Sequence, residues 1–445
     1  MRKNNILNWI KLSSFIIALS SLFASCSNEL DEALQPVNKG SLQFVVGDFP
    51  AFGEGTQTRA IGTQDGGKTA WANEDKILVH LYSQKYGDQA VTLTFDAENN
   101  TWESDGGTLS YLENETPTIT AVYAPYCEIK SDKTIGLLEG KQYGEAEYIL
   151  ARTTISENSL DINFESGRTY SRLRIAGLAN QTLTVTTTNF TPAGATEVTT
   201  AAYTLTTDNN GNAFLYGVFA EDATVSVKQG DVVLKDYTFT AEKNPNGTEH
   251  NKSYALDATP VIDGTLGGKA EATEEELAAM VELLKSYIEN GLTTIIVTGS
   301  QPALLLKDGY LIPVVSLAFE QLTYAYQDEK IDSYWGAVDL IYQDVTEIVE
   351  YEFYVCDVLK SITLPKVTTV GDRGFWACYY LETLTFGSVV TAINDNSGEV
   401  FYDLGYQIGG CHLVLNKDQG NVEGLAPELA NNTWAGYTWK SITLK

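Results

Sequence analysis

The chain has 445 residues, and its 58 Asp and Glu against 29 Lys and Arg give a formal net charge of −29 at pH 7. A surface this acidic repels phosphate backbones, so the composition argues against nucleic acid as a partner. The length predicts roughly two to four domains, each large enough to bury a core of its own.

The first residues have the features of a secretory signal. Arg2, Lys3 and Lys11 are basic, and the apolar run from Leu12 to Phe23 contains no charge. A run of this length is too short to span a membrane stably, and its basic flank is typical of a segment that is removed during export.

Cys26 follows this run, in the sequence Leu22-Phe23-Ala24-Ser25-Cys26. Small residues before a cysteine resemble the lipobox of bacterial lipoproteins. The resemblance implies that residues 1–25 are a signal peptide and that Cys26 is lipidated, with two or more acyl chains that hold the protein stably at a membrane. The alternative is an ordinary signal peptide that is cleaved elsewhere, with Cys26 incidental.

Residues 26–40 are predicted to form a short acidic tether that does not fold. An acidic run directly after the cysteine, here residues 27–32, resembles the one that directs some Gram-negative lipoproteins to the outer face of the outer membrane. The implied location is the cell outer membrane, with the chain lipid-anchored and exposed at the surface.

From Ser41 to about Thr259, short runs alternate apolar and polar residues between turns rich in Gly, Asn and Asp. This pattern predicts a mainly β fold of antiparallel sandwiches rather than βαβ units. About 220 residues is long for one sandwich, and a break near 163–168 is followed by a fresh run of strands. We therefore expect two sandwiches in tandem, at 41–165 and 166–259.

Three segments of this region carry a family resemblance: Thr58-Arg59, residues 70–77 (Ala-Trp-Ala-Asn-Glu-Asp-Lys-Ile) and residues 122–126 (Val-Tyr-Ala-Pro-Tyr). In this order they resemble the fimbrillin-like family, whose members are lipoprotein pilins and pilin-like adhesins of Gram-negative anaerobes. Residues 162–175 are similar to the family's crossing into its second sandwich. The resemblance covers residues 40–258.

The resemblance also implies a processing event. In the family, an Arg-specific protease removes an N-terminal strand, and a C-terminal strand of a neighbouring subunit fills the groove. Arg59, after the predicted strand Leu42–Val46, is the corresponding position, and the alternative is a plain loop arginine. Because repeats occupy the C-terminal region, no donor strand is evident, which favours a tip or accessory subunit over a polymerising pilin.

The sequence changes character after Pro260. Residues 260–272 predict a linker, and a helix follows, with Thr273 and Glu276 as a capping box and Gly291 as the stop. Apolar residues on one face of this helix indicate a packing surface rather than a cofactor site; they are Leu277, Met280, Val281, Leu284 and Ile288.

An internal period of 22 residues follows. A period of roughly 20–29 residues with the pattern L-x-x-L-x-L is the signature of leucine-rich repeats. Corresponding positions are Ala337, Leu359 and Leu381; Leu340, Ile362 and Leu384; Tyr342, Leu364 and Phe386; Ile348 and Val370; Phe353 and Phe375; and Cys356 and Cys378.

The segments 359–365 and 370–378 resemble the bacterial surface-antigen (BspA-like) repeat. The register is lost after Ile393 through an insertion, and it resumes at residues 412–415 and 440–444. We expect residues 273–445 to form a short solenoid, with the helix capping its N-terminal end. The identical placement of Cys356 and Cys378 favours stacked, buried thiols, and a disulfide between them is the alternative.

The sequence gives no sign of an active site. The three histidines, His80, His250 and His412, lie far apart, and there is no nucleophile elbow, zinc-protease motif or phosphate-binding loop. No C-x-x-C pair occurs among the remaining cysteines, which are Cys127, Cys356, Cys378 and Cys411. We therefore expect no enzyme activity, no cofactor and no metal.

The leading interpretation is an adhesin, with the sandwiches as stalk and the repeats as a head that binds a host or microbial surface protein or glycan. Trp376, Tyr379 and Tyr380 are the candidate binding residues, because Trp and Tyr bring large contact area at low entropy cost. Core packing is the competing interpretation for each. The alternatives for the whole chain are a polymerising pilus subunit that exchanges strands with other subunits, and a glycan-capturing surface lipoprotein.

Overall fold

The structure, a computed structural model, describes residues 42–52, 68–112, 115–156, 158–165, 167–240, 242 and 247–445. Within these residues the fold is mainly β, as the sequence predicts, with two α-helices, of which the sequence predicts the first. The predicted signal segment and tether, with Cys26, and the predicted processing site Arg59 lie outside the described residues. No helix in the described part of the chain is long and apolar enough to cross a membrane.

The first ten strands build two packed sheets. One sheet has the strand order β4-β3-β2-β5-β8 and the other β1-β10-β9, while β6 and β7 form a separate hairpin. The pairings are antiparallel except that of β1 with β10, which is parallel. The strands are β1 (Gln43–Val46), β2 (Lys76–Ser83), β3 (Gly87–Asp96), β4 (Thr101–Ser104), β5 (Thr118–Tyr123), β6 (Cys127–Ile129), β7 (Ile135–Leu137), β8 (Ile149–Leu150), β9 (Arg152–Ser156) and β10 (Ser159–Asn163).

Strand alternation places the core between these two sheets. Ile77, Val79 and Leu81 of β2 are fully buried and join one hydrophobic cluster with Leu160 and Ile162 of β10. Successive side chains of a strand point to opposite faces, so these alternate residues fill the space between the layers. This unit is the first sandwich.

The second unit is a sandwich formed by one bent sheet rather than by two separate sheets. Its order is β13-β12-β14-β11-β16, with β15 beside β14, and β11 pairs with β16 in parallel. The strands are β11 (Ser171–Ala176), β12 (Thr182–Pro192), β13 (Thr199–Thr206), β14 (Asn212–Gln229), β15 (Val232–Thr238) and β16 (Ser253–Asp257).

The bend lies in the middle of β12 and β14. The first half of β14 pairs with β11 and the second half with β15. Asn189 and Asp222 have positive φ angles of 50° and 63° at an irregularity in the pairing, where such a bulge bends the strands. Leu215 from the first half and Val227 from the second half join one buried cluster, so the sheet encloses its own core. The domain limits at 165 and 259 stay predictions.

The C-terminal unit consists of a parallel sheet, two helices and several short pairs. Three short 3-10 helices, Asp332–Tyr334, Tyr406–Ile408 and Lys417–Asn421, lie in its loops. The other elements are β17 (Val261–Asp263), α1 (Glu274–Glu289), β18 (Thr294–Thr298), β19 (Leu304–Lys307), β20 (Tyr310–Pro313), α2 (Val314–Glu329), β21 (Val338–Tyr342), β22 (Glu347–Ile348), β23 (Leu359–Leu364), β24 (Thr369–Val370), β25 (Thr383–Phe386), β26 (Ala392–Ile393), β27 (His412–Leu415), β28 (Thr433–Trp434), β29 (Tyr437–Thr438) and β30 (Ser441–Leu444).

The main sheet of this unit has the order β17-β18-β21-β23-β25-β27-β30. Its first strand, β17, lies inside the segment that the sequence suggests as a linker. Ile262 is buried and lies opposite Val297 of β18. The buried side chain and the parallel pairing make this segment part of the sheet, and the Gly-rich residues follow it.

Helix α1 connects β17 to β18 at the N-terminal end of this sheet. Thr273 accepts a hydrogen bond from the Glu276 backbone, and the Glu276 side chain accepts one from the Thr273 backbone, so the predicted capping box is confirmed. The predicted apolar face is also observed, because Leu277, Met280 and Leu284 are buried in the same cluster as the repeats.

The strand pairing confirms the predicted repeat register except at its first position, where Leu359 lies opposite Val338 and not Ala337 because the pairing shifts by one residue. Leu340 lies opposite Ile362, and Ile362 lies opposite Leu384. After the insertion, Leu384 lies opposite Leu413, which lies opposite Ile442, so the array resumes where the sequence indicates. A second parallel ladder joins β22, β24 and β26.

The core of the repeats contains stacked rings and free thiols. Phe375 stacks on Phe353 at 5.5 Å and on Phe401 at 5.6 Å between ring centroids. Cys356 and Cys378 are buried and free, and burial raises the pKa of Cys356 well above its ordinary value. The structure thus contains the buried thiols and not the disulfide.

Candidate ligand-binding surface

A column of stacked aromatic side chains runs along the outside of three successive repeats. Trp376 stacks on Tyr354 with ring centroids 4.9 Å apart and planes 7° apart, and on Tyr402 at 5.8 Å and 17°. Each of these three surface residues directly follows a buried phenylalanine, which is Phe353, Phe375 or Phe401. The phenylalanine ring therefore lies in the core, and the ring after it lies on the surface. The repeat therefore generates two parallel columns, one buried and one at the surface.

The backbone of the loops fixes the spacing of the surface column. The Val355 N–H donates to the Trp376 carbonyl at 3.0 Å, and the Ala377 N–H donates to the Tyr402 carbonyl at 2.8 Å. Val355, Ala377 and Asp403, which follow the three surface rings, all have φ between 52° and 59°. A positive φ is unfavourable for a β-branched residue such as Val355, and the ladder of hydrogen bonds holds it there.

Two further tyrosines extend the column towards the hairpin β19–β20. Tyr351 contacts Tyr354 at 5.7 Å and Tyr310 at 4.6 Å between ring centroids. Arg373 donates from Nη1 to the Tyr351 hydroxyl at 2.7 Å and from Nε to a Glu399 carboxylate oxygen at 2.7 Å. We call the set of Tyr310, Tyr351, Tyr354, Trp376 and Tyr402 the aromatic face.

The aromatic face is accessible to a partner. Tyr402 is 45% exposed, and the other four residues are half-buried. Half-buried rings that are held by their neighbours lose little conformational entropy on binding, so such a surface is suited to recognition.

A cavity of about 250 Å³ lies at the end of the aromatic face. Its lining comprises Lys307, Asp308, Tyr310, Ile312, Glu320, Tyr351 and Tyr354. Both carboxylate oxygens of Glu320 accept a hydrogen bond from Lys307 Nζ at 2.9 Å. Burial raises the pKa of Glu320, although Lys307 opposes that shift.

Larger cavities lie elsewhere. One of about 710 Å³ lies between the first and second units and is lined by Lys68, Tyr123, Glu147 and Tyr216 among others. One of about 540 Å³ lies beside β17 and the first repeat and includes Glu352. Within the residues that the structure describes, no group of three or more His, Cys, Asp or Glu is placed to hold a metal ion.

Comparison with known families identifies the repeats. Residues 338–403 match the model of the BspA type Leucine rich repeat region, in six copies. This segment carries BspA-type repeats. The match begins at β21 and ends directly after Tyr402, so the BspA-type repeats contain Tyr351, Tyr354, Trp376 and Tyr402, while Tyr310 lies outside them.

The wider comparisons consider the chain as a whole. No curated protein matches it. Among solved structures it is similar to a "putative cell adhesion protein" of Bacteroides fragilis NCTC 9343, with 11% identity and a TM-score of 0.25 over 49% of this chain and 92% of that one. A second "putative cell adhesion protein", from Bacteroides ovatus ATCC 8483, has 14% identity and a TM-score of 0.26 over 50% and 93%. A fimbrial protein of Bacteroides ovatus ATCC 8483 has 8% identity and a TM-score of 0.24 over 49% and 48%.

The structure places the three predicted binding residues in different surroundings. Trp376 is the centre of the surface column. Tyr379 is half-buried, its N–H donates to Asp357 Oδ1 at 2.8 Å, and burial raises the pKa of its hydroxyl. Tyr380 stacks on Trp335, with ring centroids 5.9 Å apart and planes 16° apart, outside the column. A binding role for each stays a prediction.

The sequence interpretation did not include Tyr354 and Tyr402. The signal for Tyr354 was present, because it precedes Trp376 by one 22-residue period of the BspA-type repeats. Tyr402 follows Trp376 by 26 residues, so the insertion after Ile393 hides its correspondence.

Proposed function

We propose that this chain is a surface-anchored adhesin that binds a partner protein through the aromatic face of its BspA-type repeats. The observation that carries the proposal is the column of Tyr354, Trp376 and Tyr402 at the surface of successive repeats. Interfaces are enriched in Tyr, Trp and Arg, and a few such residues supply most of the binding energy. In this proposal Cys26 carries the lipid, and the sandwiches hold the repeats away from the outer membrane.

The test compares adhesion by variants of the aromatic face. Beads coated with the purified full chain are allowed to bind epithelial cells, and Trp376→Ala and Tyr402→Ala are compared with the unchanged protein. We expect each substitution to reduce bead binding about tenfold or more, as expected of central aromatic anchors. Trp376→Phe should retain most of the binding, because it keeps a ring in the column.

Tyr380→Ala is the matched control. Tyr380 is half-buried and belongs to the same repeat, but it stacks on Trp335 and not on the column. Unfolding midpoints of all variants show whether each protein is folded. Unchanged adhesion of folded Trp376→Ala and Tyr402→Ala, or an equal loss with Tyr380→Ala, would contradict the proposal.

A pilus subunit processed after Arg59 is the second candidate function. It is favoured by the position of β1, which lies at the edge of its sheet and pairs with β10 alone among the described strands. An edge strand can be exchanged for a strand of another subunit without rearranging the rest of the sheet. N-terminal sequencing of surface material separates the two: a start at Ala60 supports assembly, and a blocked, lipidated Cys26 supports the adhesin that acts alone.

A further inference from the structure

We propose that the cavity at the end of the aromatic face receives a cationic side chain, a lysine ammonium or an arginine guanidinium, presented by the partner protein. This inference rests on the function proposed above, and it names the chemical group that the surface recognises. The argument uses the size of the cavity, its aromatic walls and its charge.

The size and the walls fit one long side chain. Cavities for drug-sized ligands measure about 300–1,000 Å³, whereas this one is about 250 Å³. Three of its seven lining residues are Tyr310, Tyr351 and Tyr354. The faces of aromatic rings attract cations, and several rings around one cavity are a known arrangement for binding an ammonium group.

One of these rings already contacts a cation of the same chain. The Arg373 guanidinium carbon lies 5.3 Å from the centroid of the Tyr351 ring. The Arg373 charge is matched by Glu399, whose carboxylate lies 2.7 Å away. Arg373 does not line the cavity, so the Tyr310 and Tyr354 rings are available to a second cation.

The charge of the cavity is negative. Lys307 contacts both oxygens of Glu320, so this pair is close to neutral. Asp308, at the tip of the hairpin, is exposed, and no residue in the described ranges forms a hydrogen bond or ion pair with its carboxylate. Burial is the main cause of the raised pKa of Glu320, and the negative charge of the nearby Asp308 carboxylate raises it further.

A second carboxylate lies nearby. The neighbouring Tyr351 and burial are the main causes of the raised pKa of Tyr310, and the negative charge of Glu350 raises it further. The net charge of −29 for the chain adds a long-range field that attracts basic partners and repels acidic ones. An uncharged sugar would gain nothing from this field.

The experiment measures the binding of small probes to the full chain. The protein is labelled with 3-fluorotyrosine, and Tyr310→Phe assigns the fluorine signal of Tyr310. N-acetyl-arginine amide, N-acetyl-lysine amide, the neutral N-acetyl-norleucine amide and methyl β-galactoside are added separately. We expect the two cationic amides to shift the Tyr310 signal at millimolar concentration and the two neutral probes to leave it unchanged.

Asp308→Asn tests the role of charge without disturbing the backbone. Asp308 has a φ of 51°, and Asn tolerates this left-handed conformation well. We expect an affinity for the arginine amide that is about two- to fivefold lower. Asp222→Asn is the matched control, because Asp222 is exposed, has a φ of 63° and lies in the second sandwich; it should leave the affinity unchanged.

Several outcomes would overturn the inference. They are equal binding of the norleucine amide, preferential binding of the galactoside, no binding of either cationic amide, or equal effects of Asp308→Asn and Asp222→Asn. The bead assay separates this inference from the proposed function. If adhesion requires Trp376 and Tyr402 but no cationic probe binds, the cavity inference alone fails. If the probes bind but adhesion is unchanged when either ring is removed, the adhesin proposal fails.

Discussion

At the scale of single residues, Glu352 is an ionisable group in an unfavourable place. It is fully buried in the first repeat, where one carboxylate oxygen accepts the Val349 N–H at 2.8 Å. The other oxygen, Oε1, is buried and forms no hydrogen bond of ordinary geometry within the described residues, although the nearby Ser316 hydroxyl opposes the effect of burial on the pKa. Burial raises the pKa of Glu352 from 4.5 to about 8, so the carboxyl group holds a proton at neutral pH.

The raised pKa predicts how stability depends on pH. Between pH 4.5 and about 8 the folded chain holds a proton that the unfolded chain has lost, so the free energy of unfolding falls as pH rises. Glu352→Gln, which resembles the protonated form, should remove this dependence. We expect it to stabilise the protein by a few kcal/mol at pH 8 and to have little effect at pH 4.5.

Urea unfolding of the two proteins at pH 4.5, 6 and 8 measures this difference. Glu382→Gln is the control, because Glu382 belongs to a later repeat and is exposed. A pH dependence that is the same with and without Glu352 would show that the group is charged, and compensated, in the folded protein.

At the scale of the element, each repeat places two adjacent aromatic residues on opposite sides of its loop. Phe375 is fully buried between Phe353 and Phe401, whereas Trp376 is half-buried between Tyr354 and Tyr402. Removing a buried phenylalanine leaves a cavity in a close-packed core, whereas removing a surface ring exposes its neighbours to water.

This difference predicts unequal costs for two neighbouring substitutions. Phe375→Ala should reduce the free energy of unfolding by about 3–5 kcal/mol. Trp376→Ala should reduce it by less than about 2 kcal/mol, because Trp376 packs on one surface column only. Urea denaturation of both variants at one pH is the measurement. Equal losses would favour the competing interpretation, in which Trp376 is a core residue.

The elements also show which features the sequence can predict. Helix α1 was predicted because Thr273 and Glu276 form a capping box and one face alone is apolar. Helix α2 was not, because Pro313 before it makes no side-chain cap, its first turn has no acidic residue, and residues 314–319 are all buried. The first turns of α2 are buried on all sides and have no apolar stripe, so no 3.6-residue period is visible there.

The candidate site was predictable only in part. Trp376 was a candidate because Trp brings large contact area at low entropy cost. The cavity was not predictable, because Lys307 and Tyr310 come from a hairpin outside the repeats, while Tyr351 and Tyr354 come from the first repeat loop. Bringing them together depends on how α2 packs on the repeats, and no local pattern encodes that packing.

At the scale of the whole molecule, Arg168 ties the N-terminal segment to both sandwiches. Its guanidinium contacts both carboxylate oxygens of Glu147, at 3.0 Å and 2.9 Å, and donates to the Pro50 carbonyl and, at 3.1 Å, to Asn251 Oδ1. The guanidinium carbon lies 3.7 Å from the centroid of the Phe52 ring. Only 1% of the Arg168 side chain is exposed, so the charge has little access to water and depends on these partners.

This arrangement predicts that Arg168 determines the stability of both sandwiches together. Arg168→Lys keeps the charge but cannot make the two parallel contacts with Glu147. We expect a loss of about 3 kcal/mol in the free energy of unfolding, because the Glu147 carboxylate is left buried without its full set of donors. The double variant Arg168→Lys with Glu147→Gln should lose much less than the sum of the two single losses, since the residues share one interaction.

Arg152→Lys, an exposed change in β9, is the control for the arginine-to-lysine exchange. Urea unfolding is followed by circular dichroism, which reports all sheets. Additive losses, or a loss no larger than that of Arg152→Lys, would mean that the two sandwiches hold the N-terminal segment without this ion pair.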